Sequence, residues 1–263
     1  MRRQRHVAVL AMLAVLTAPT VTSAAVRSRE FRIARGTDTL QAFVAWDDAW
    51  KERRPGVVIV HGGWGYTDYV RKQAERLAAS GYVGLAFDMF ATGKVETHLE
   101  HSGGVMGELD RNPALVRSRF DAALDALKRD PHVDPANIAA MGNCWGGTVV
   151  LNMARAGVDL DAVVVFHGAL NTTTPAKKGQ VKARVLVMNG GADPIVPVAQ
   201  VEPFKKEMAD AGVPADVVLY PGVKHSYANP YADHAGSDAM AYNAEADKDS
   251  WARLLRFLGS TYR

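Results

Sequence analysis

The chain has 263 residues, of which 48% are hydrophobic and 22% are charged, and it contains a single cysteine. This length allows one large domain or two small ones, and the apolar fraction excludes a disordered chain. One cysteine excludes an intrachain disulfide framework and every metal site built from several cysteines.

The first 25 residues have the pattern of a secretory signal peptide. Arg2, Arg3 and Arg5 precede an apolar run at residues 7–16, and small residues end the segment. Of 31 Lys and Arg and 28 Asp and Glu, this segment holds three basic and no acidic residues, which leaves 28 of each sign. We therefore expect an exported protein, periplasmic or secreted, whose near-zero charge gives no attraction to nucleic acid or anionic membranes. An uncleaved N-terminal anchor is the alternative.

Strand and helix patterns alternate along the rest of the chain. Short apolar runs rich in β-branched residues predict strands at residues 31–34, 41–46, 56–60, 83–87, 138–141, 162–166, 183–188 and 216–219. Apolar residues at helical spacing predict helices at residues 70–78, 113–127, 145–156, 198–211 and 251–258. Asn112 and Pro113 supply a cap and a first-turn proline for the second of these helices.

This alternation predicts the α/β class, with a mostly parallel central sheet and helices on both faces. No repeat, low-complexity tract or linker divides the pattern, so we expect residues 26–263 to form a single domain. Residues 91–110, rich in His, Glu and Gly, are predicted as one long irregular loop, typical of a lid or a binding loop.

Residues 142–147 read Gly-Asn-Cys-Trp-Gly-Gly and lie between a predicted strand and a predicted helix. This is the pattern of a nucleophile elbow with cysteine in place of the usual serine, where glycines leave room for a sharp, strained turn. The helix that begins at Trp145 directs its free N–H groups and its dipole toward the sulfur, which favours the thiolate. Cys144 is the predicted nucleophile, and a buried, inert cysteine is the alternative.

A cysteine nucleophile needs a base, and in this architecture the chain order is nucleophile, acid and histidine. Asp193 and His225 follow in that order, each just beyond a predicted strand. His225 would take the thiol proton, and Asp193 would fix the tautomer and stabilise the imidazolium. Alone, Asp193 reads as a turn residue and His225 as a surface-loop histidine, but together with the elbow they predict a triad.

Backbone N–H groups from two loops are expected to bind the oxyanion of the reaction. Trp145, directly after the nucleophile, would supply one of them. The loop at residues 61–65 would supply the other, with Gly63 and Trp64 as the substrate-binding candidates and Trp64 preferred. His61 is expected to shape this loop rather than to react.

Four further positions are less informative. Asp88 follows a predicted strand and is expected to anchor a loop, whereas His167 is the reserve candidate for a pocket residue. His98 and His101 could suggest zinc, but two histidines three apart in a predicted loop are a common accident. We therefore expect neither a metal nor a cofactor.

With these residues the chain resembles the dienelactone hydrolase family of α/β hydrolases, from about residue 57 to residue 258. Cys144 in its elbow, Asp193 in Gly-Ala-Asp-Pro-Ile-Val-Pro and His225 in Gly-Val-Lys-His-Ser-Tyr carry the resemblance. It implies the α/β-hydrolase fold, a Cys–His–Asp triad and cofactor-free hydrolysis of a lactone or small ester through a thioester.

Two positions depart from the family pattern. Gly62 stands where the best-known members have a glutamate that contacts the thiol, and residues 226–230 lack the arginine that binds a substrate carboxylate. The resemblance therefore implies the reaction class rather than dienelactone itself as the substrate.

Other classes of function remain open. A non-hydrolytic thiol protein could sense or scavenge oxidants through Cys144, although the chain has no second cysteine to resolve an oxidised thiol. A binding module with a decayed site is disfavoured by the complete triad. The expected partner is a small-molecule ester or lactone, with no stable membrane association after cleavage of the leader, and the sequence carries no signal for an oligomeric state.

Overall fold

The computed structural model describes residues 26–91 and 99–262. The predicted signal peptide lies outside these residues, so export stays a prediction. His98, considered above as a zinc ligand, also lies outside them. Within the described ranges, no helix is long and apolar enough to cross a membrane. The same ranges contain no group of three or more His, Cys, Asp or Glu side chains that could hold a metal ion.

Across residues 26–91 and 99–262, eight strands form one sheet. They are β1 (Val26–Arg35), β2 (Asp38–Asp47), β3 (Arg54–Val60), β4 (Val83–Phe87), β5 (Val133–Asn143), β6 (Ala162–Phe166), β7 (Arg184–Gly190) and β8 (Ala215–Tyr220). The spatial order is β1-β2-β4-β3-β5-β6-β7-β8. β2 pairs antiparallel with both β1 and β4, and all other pairs are parallel. The mostly parallel sheet predicted from the alternation is confirmed.

The described residues form six α-helices: α1 (Asp68–Ala78), α2 (Leu99–Asp110), α3 (Pro113–Lys128), α4 (Trp145–Arg155), α5 (Val201–Ala211) and α6 (Ala244–Thr261). The buried residues of α3, α4 and α5 belong to one core cluster and those of α1 and α6 to another, on opposite faces. Central strands such as β4 and β6 are buried along their whole length, as a sheet covered on both faces requires. Helices on both faces are thus also confirmed.

Local signals place the helix that follows α2 correctly. The Asn112 side chain accepts a hydrogen bond from the N–H of Leu115, and Pro113 is the first residue of α3. This cap satisfies one of the free N–H groups at the helix start. The predicted start of α3 is confirmed.

The prediction of one irregular loop over residues 91–110 was wrong in its second half, because Leu99–Asp110 form α2. Glycines at 103, 104 and 107 have low helix propensity and obscure the helical pattern. Packing holds the helix instead, with Leu109 buried and Val105 and Met106 resting partly buried against the core.

The carboxyl ends of five parallel strands meet along one edge of the sheet. β3, β5, β6, β7 and β8 lead there into the loops that carry Gly63, Cys144, His167, Asp193 and His225. In open α/β sheets this edge is where ligands bind. The fold therefore gathers candidate site residues from five separate segments along one edge of the sheet.

Candidate active site

The turn from β5 into α4 has the geometry of a nucleophile elbow. Cys144 adopts φ 53° and ψ −124°, in the left-handed half of backbone space that a non-glycine residue rarely occupies. A side chain at Gly142 would overlap the backbone of Gly146, and one at Gly146 would overlap the backbone of Val60 and His61. The two glycines are therefore needed for the turn to close.

His225 and Asp193 form a short, buried hydrogen bond beside the elbow. Nδ1 of His225 lies 2.7 Å from Oδ2 of Asp193, and both side chains are almost fully buried. Oδ1 of Asp193 accepts hydrogen bonds from the N–H groups of Ile195 and Val196, at 2.8 and 2.9 Å. With both oxygens held, the carboxylate fixes the histidine tautomer that leaves Nε2 free to act on the sulfur.

Cys144 and His225 change each other's protonation. Burial alone would raise the pKa of the Cys144 thiol, but His225 and the backbone N–H groups of Trp145 and Gly63 outweigh it and lower that pKa. Burial alone would lower the pKa of His225, yet Asp193 and the Cys144 thiol raise it to about 9. The pair therefore favours a thiolate beside an imidazolium, which is the reactive form of a cysteine nucleophile.

The two backbone N–H groups at the sulfur belong to Trp145 and Gly63. Nε2 of His61 accepts the N–H of Met89 at 3.1 Å, so Nδ1 carries the proton and donates to the carbonyl oxygen of Gly62 at 2.8 Å. This pair of bonds ties the loop after β3 to the loop after β4. The Gly63 N–H lowers the pKa of the thiol, whereas Trp64 is not among the groups that do so, and Gly63 therefore becomes the better candidate for the second donor.

Asp88 has the anchoring position expected of it, because Oδ1 accepts the N–H of Phe90 at 3.0 Å in the loop after β4.

A buried polar network below the elbow carried no sequence signal. The Asn143 amide donates to Oε1 of Gln73 at 2.8 Å, and the Gln73 amide donates to the Tyr69 hydroxyl at 3.0 Å. These bonds tie α1 to the residue that precedes Cys144. Helical spacing could have placed Gln73 on the buried face of α1, but could not have identified Asn143, at the end of β5, as its partner.

The family model described as the dienelactone hydrolase family matches residues 40–262, which is most of the chain. The chain belongs to the dienelactone hydrolase family. A relative from Methylorubrum extorquens named "Putative carboxymethylenebutenolidase" is 31% identical over 210 residues, covering 76% of this chain and 70% of its own.

Solved structures agree with this assignment. The structure named m3DLH is 32% identical with a TM-score of 0.85, and the match covers 90% of this chain and 99% of the other. A dienelactone hydrolase-like promiscuous phosphotriesterase from metagenomic libraries is 30% identical with a TM-score of 0.84 and the same coverages. The α/β-hydrolase fold expected from the resemblance is confirmed.

This dienelactone hydrolase family member has a cleft of about 740 Å³ above the sulfur. Cys144, Trp145 and His225 line its floor, and residues of α2 form one wall. At the end of α2, Oδ1 of Asp110 accepts a hydrogen bond of 2.8 Å from the Trp145 indole N–H. The wall formed by α2 is therefore attached to the residue that follows the nucleophile.

The remaining described lining of the cleft combines uncharged polar groups with apolar surface. Hydroxyl and amide groups come from Thr148, Asn152, Asn171, Thr172, Thr173 and Thr174, and apolar surface comes from Met106, Ile195 and Val196. Such a lining can accept an uncharged substrate and hydrogen-bond its oxygen atoms.

Proposed function

We propose that this protein hydrolyses a lactone or a small carboxylic ester through a thioester on Cys144. The observation that carries the proposal is the buried Asp193–His225 hydrogen bond, with His225 and Cys144 lining the same cleft. His225 also lowers the pKa of the Cys144 thiol. Membership of the dienelactone hydrolase family supports the same class of reaction.

In the first half-reaction the Cys144 thiolate attacks the carbonyl carbon, and the carbonyl electrons move onto its oxygen. We assign the binding of this oxyanion to the N–H groups of Gly63 and Trp145, because the same two groups lower the pKa of the thiol. When the intermediate collapses, the C–O bond to the alkoxide breaks, and the imidazolium of His225 donates its proton to that oxygen. A thioester and an alcohol result, and in a lactone the two remain joined.

In the second half-reaction water cleaves the thioester. Neutral His225 removes a proton from the water as it attacks the acyl carbon, and the C–S bond then breaks to return Cys144 as a thiolate. The carboxylic acid leaves, and His225 keeps the proton, so the resting ion pair is restored. Asp193 stabilises the imidazolium in both halves through its 2.7 Å contact with Nδ1.

An uncharged substrate fits the cleft better than a carboxylate does. The described lining provides threonine hydroxyls and asparagine amides, and its one carboxylate, on Asp110, would repel an anion. The stretch from residue 226 to residue 230, where family members have an arginine, reads Ser-Tyr-Ala-Asn-Pro. We therefore place neutral lactones and short-chain esters ahead of dienelactone.

Steady-state turnover of a substrate panel tests this function. The panel contains chromogenic short-chain esters, a neutral lactone, dienelactone and, because one similar structure bears the name of a phosphotriesterase, a neutral phosphotriester. The wild-type protein should hydrolyse esters or lactones, and Cys144→Ala should lose at least about a thousandfold in kcat/KM. Wild-type turnover in Cys144→Ala would contradict the mechanism.

The same experiment separates the alternative function. If the folded protein with a free thiol hydrolyses no member of the panel, Cys144 can be tested as a redox thiol by mild peroxide followed by dimedone labelling. Sulfenic acid formation without esterase activity would favour the non-hydrolytic thiol protein.

We also propose that the protein is exported, on the strength of the basic and apolar pattern in residues 1–25. Cell fractionation followed by N-terminal sequencing should find the protein outside the cytoplasm, beginning close to residue 26. Full-length protein in the cytoplasm would contradict this proposal.

A further inference from the structure

His167 lies beside the nucleophile but has no part in the steps proposed above. It directly follows β6, is 2% exposed and lines the cleft together with Cys144 and His225. Its own N–H donates to the carbonyl oxygen of Met188 at 2.9 Å, which anchors its backbone to β7. A buried, anchored histidine next to a catalytic pair is a candidate for a further role.

The imidazole of His167 binds the backbone of the nucleophile. Nδ1 accepts the N–H of Cys144 at 3.1 Å, and the same N–H also donates to the carbonyl oxygen of Phe166 at 2.9 Å. Both bonded residues lie in the left-handed region, Cys144 at φ 53° and His167 at φ 40°. Such backbone strain persists only where surrounding contacts hold it, and this hydrogen bond joins the two strained residues directly.

The hydrogen bond also fixes the protonation of His167. Because Nδ1 accepts, the proton of the neutral ring is on Nε2. The His225 ring lies edge to face at a centroid distance of 4.8 Å, and Tyr227 packs at 5.5 Å. Burial and the positive charge of His225 hold the pKa of His167 well below its usual range. His167 therefore stays an acceptor while His225 carries the proton of the thiol.

We propose that His167 is a positioning residue that holds the elbow through the Cys144 N–H, and so directs the sulfur at His225 and the Trp145 N–H into the oxyanion site. The peptide group before Cys144 carries the Cys144 N–H, and the one after it carries the Trp145 N–H. The φ and ψ angles of Cys144 set the orientation of these two groups relative to each other, so holding the first one constrains the second. This proposal rests on the proposed function for its effect on turnover, but its effect on the thiol can be measured without a substrate.

Substitution of His167 by asparagine or by glutamine tests whether the hydrogen-bond acceptor or the volume of the ring matters, because both side chains end in the same amide group. In His167→Asn the amide oxygen can take the place of Nδ1, and asparagine tolerates the left-handed backbone. In His167→Gln the amide reaches the place of Nε2, so the Cys144 N–H loses this acceptor while much of the volume remains. His167→Gly, which has no backbone strain and no acceptor, replaces the glutamine variant if that variant does not fold.

Two measurements are made on each folded variant: ester turnover, and the pH dependence of Cys144 alkylation by iodoacetamide. We expect His167→Asn to keep the wild-type alkylation profile and most of its kcat. His167→Gln or His167→Gly should lose about a hundredfold in kcat with little change in KM, as for a misplaced reacting group. Their alkylation should also shift to higher pH, because the thiol is less well paired with His225.

Two results would overturn the proposal. One is a folded glutamine or glycine variant with wild-type kcat and a wild-type alkylation profile. The other is an asparagine variant that is impaired as severely as they are. If the wild-type protein hydrolyses neither the esters nor the lactones of the panel, the proposed function fails, and the alkylation profiles alone still decide whether His167 positions the thiol.

Discussion

The floor and the α2 wall of the cleft are built in opposite ways. Beneath the floor, backbone overlaps leave Gly142 and Gly146 no room for a side chain, and the Asp193 carboxylate has both oxygens bound. In α2, a side chain at Gly103 would meet no described atom within 4 Å beyond its chain neighbours and the backbone of the helix. The floor is thus fixed to one geometry, whereas the wall can vary without disturbing it. We therefore expect the chemistry to depend on the first and the choice of substrate on the second.

The largest effect should come from removing the negative charge that supports His225. Asp193→Asn keeps the shape but removes the charge that holds His225 in its tautomer and as an imidazolium. We expect kcat/KM to fall by about 10³- to 10⁴-fold, with little loss of stability. Steady-state kinetics and thermal unfolding check this together. A decrease of less than tenfold would show that the carboxylate does not support His225 in catalysis.

A pair of glycine substitutions contrasts the two regions by stability. Gly146→Ala places a methyl group into the backbone of Val60 and His61. The free energy of unfolding should therefore fall by about 3 kcal/mol or more. Gly103→Ala, the matched control in α2, should stabilise the helix by about 0.5–1 kcal/mol. Urea unfolding measures both values. Equal effects at the two positions would contradict the difference between floor and wall.

The pH dependence of kcat/KM reports on the floor without any substitution. The rate should rise as the thiol loses its proton, at lower pH than for an ordinary thiol, and fall as His225 loses its own near pH 9. Above that pH the leaving alkoxide has no proton donor. In Asp193→Asn the alkaline limb should move to lower pH, since Asp193 raises the pKa of His225. A rate that does not change from acid to alkaline pH would rule out the coupled pair.

The smallest effect should come from removing the hydrogen bond that attaches α2 to Trp145. Asp110→Ala removes the acceptor of the Trp145 indole N–H, a contribution of about 1 kcal/mol, so KM should change by roughly fivefold and kcat by less. Asp110→Asn keeps an acceptor oxygen and serves as the control. Comparison of KM across the substrate panel checks the prediction. A large loss of kcat in Asp110→Ala would mean that α2 supports the chemistry as well as the binding.

The same contrast explains what could be predicted from sequence. The elbow can be recognised in the sequence because its local geometry requires glycine at 142 and 146. Asp193 and His225 can be located because each follows the end of a predicted strand. The helix α2 was missed because its glycines oppose helix formation and packing against the core decides its structure.

The choice between Gly63 and Trp64 depends on contacts that no local pattern records. The hydrogen bonds of His61 to Gly62 and Met89 set the direction of the loop, and Met89 lies 28 positions farther along the chain. The link between His167 and the Cys144 N–H likewise joins residues 23 positions apart. Sequence spacing predicts which strand ends meet, but not which N–H group points at the sulfur.

The most direct test of the central claim is to trap the acyl-enzyme. The protein is mixed with an activated ester in excess, quenched in acid and digested, and its peptides are analysed by mass spectrometry. The account predicts a burst of about one leaving group per active site and an acyl group on the peptide that contains Cys144. An acyl group on another residue, or hydrolysis that continues in Cys144→Ala without any acyl-enzyme, would contradict it.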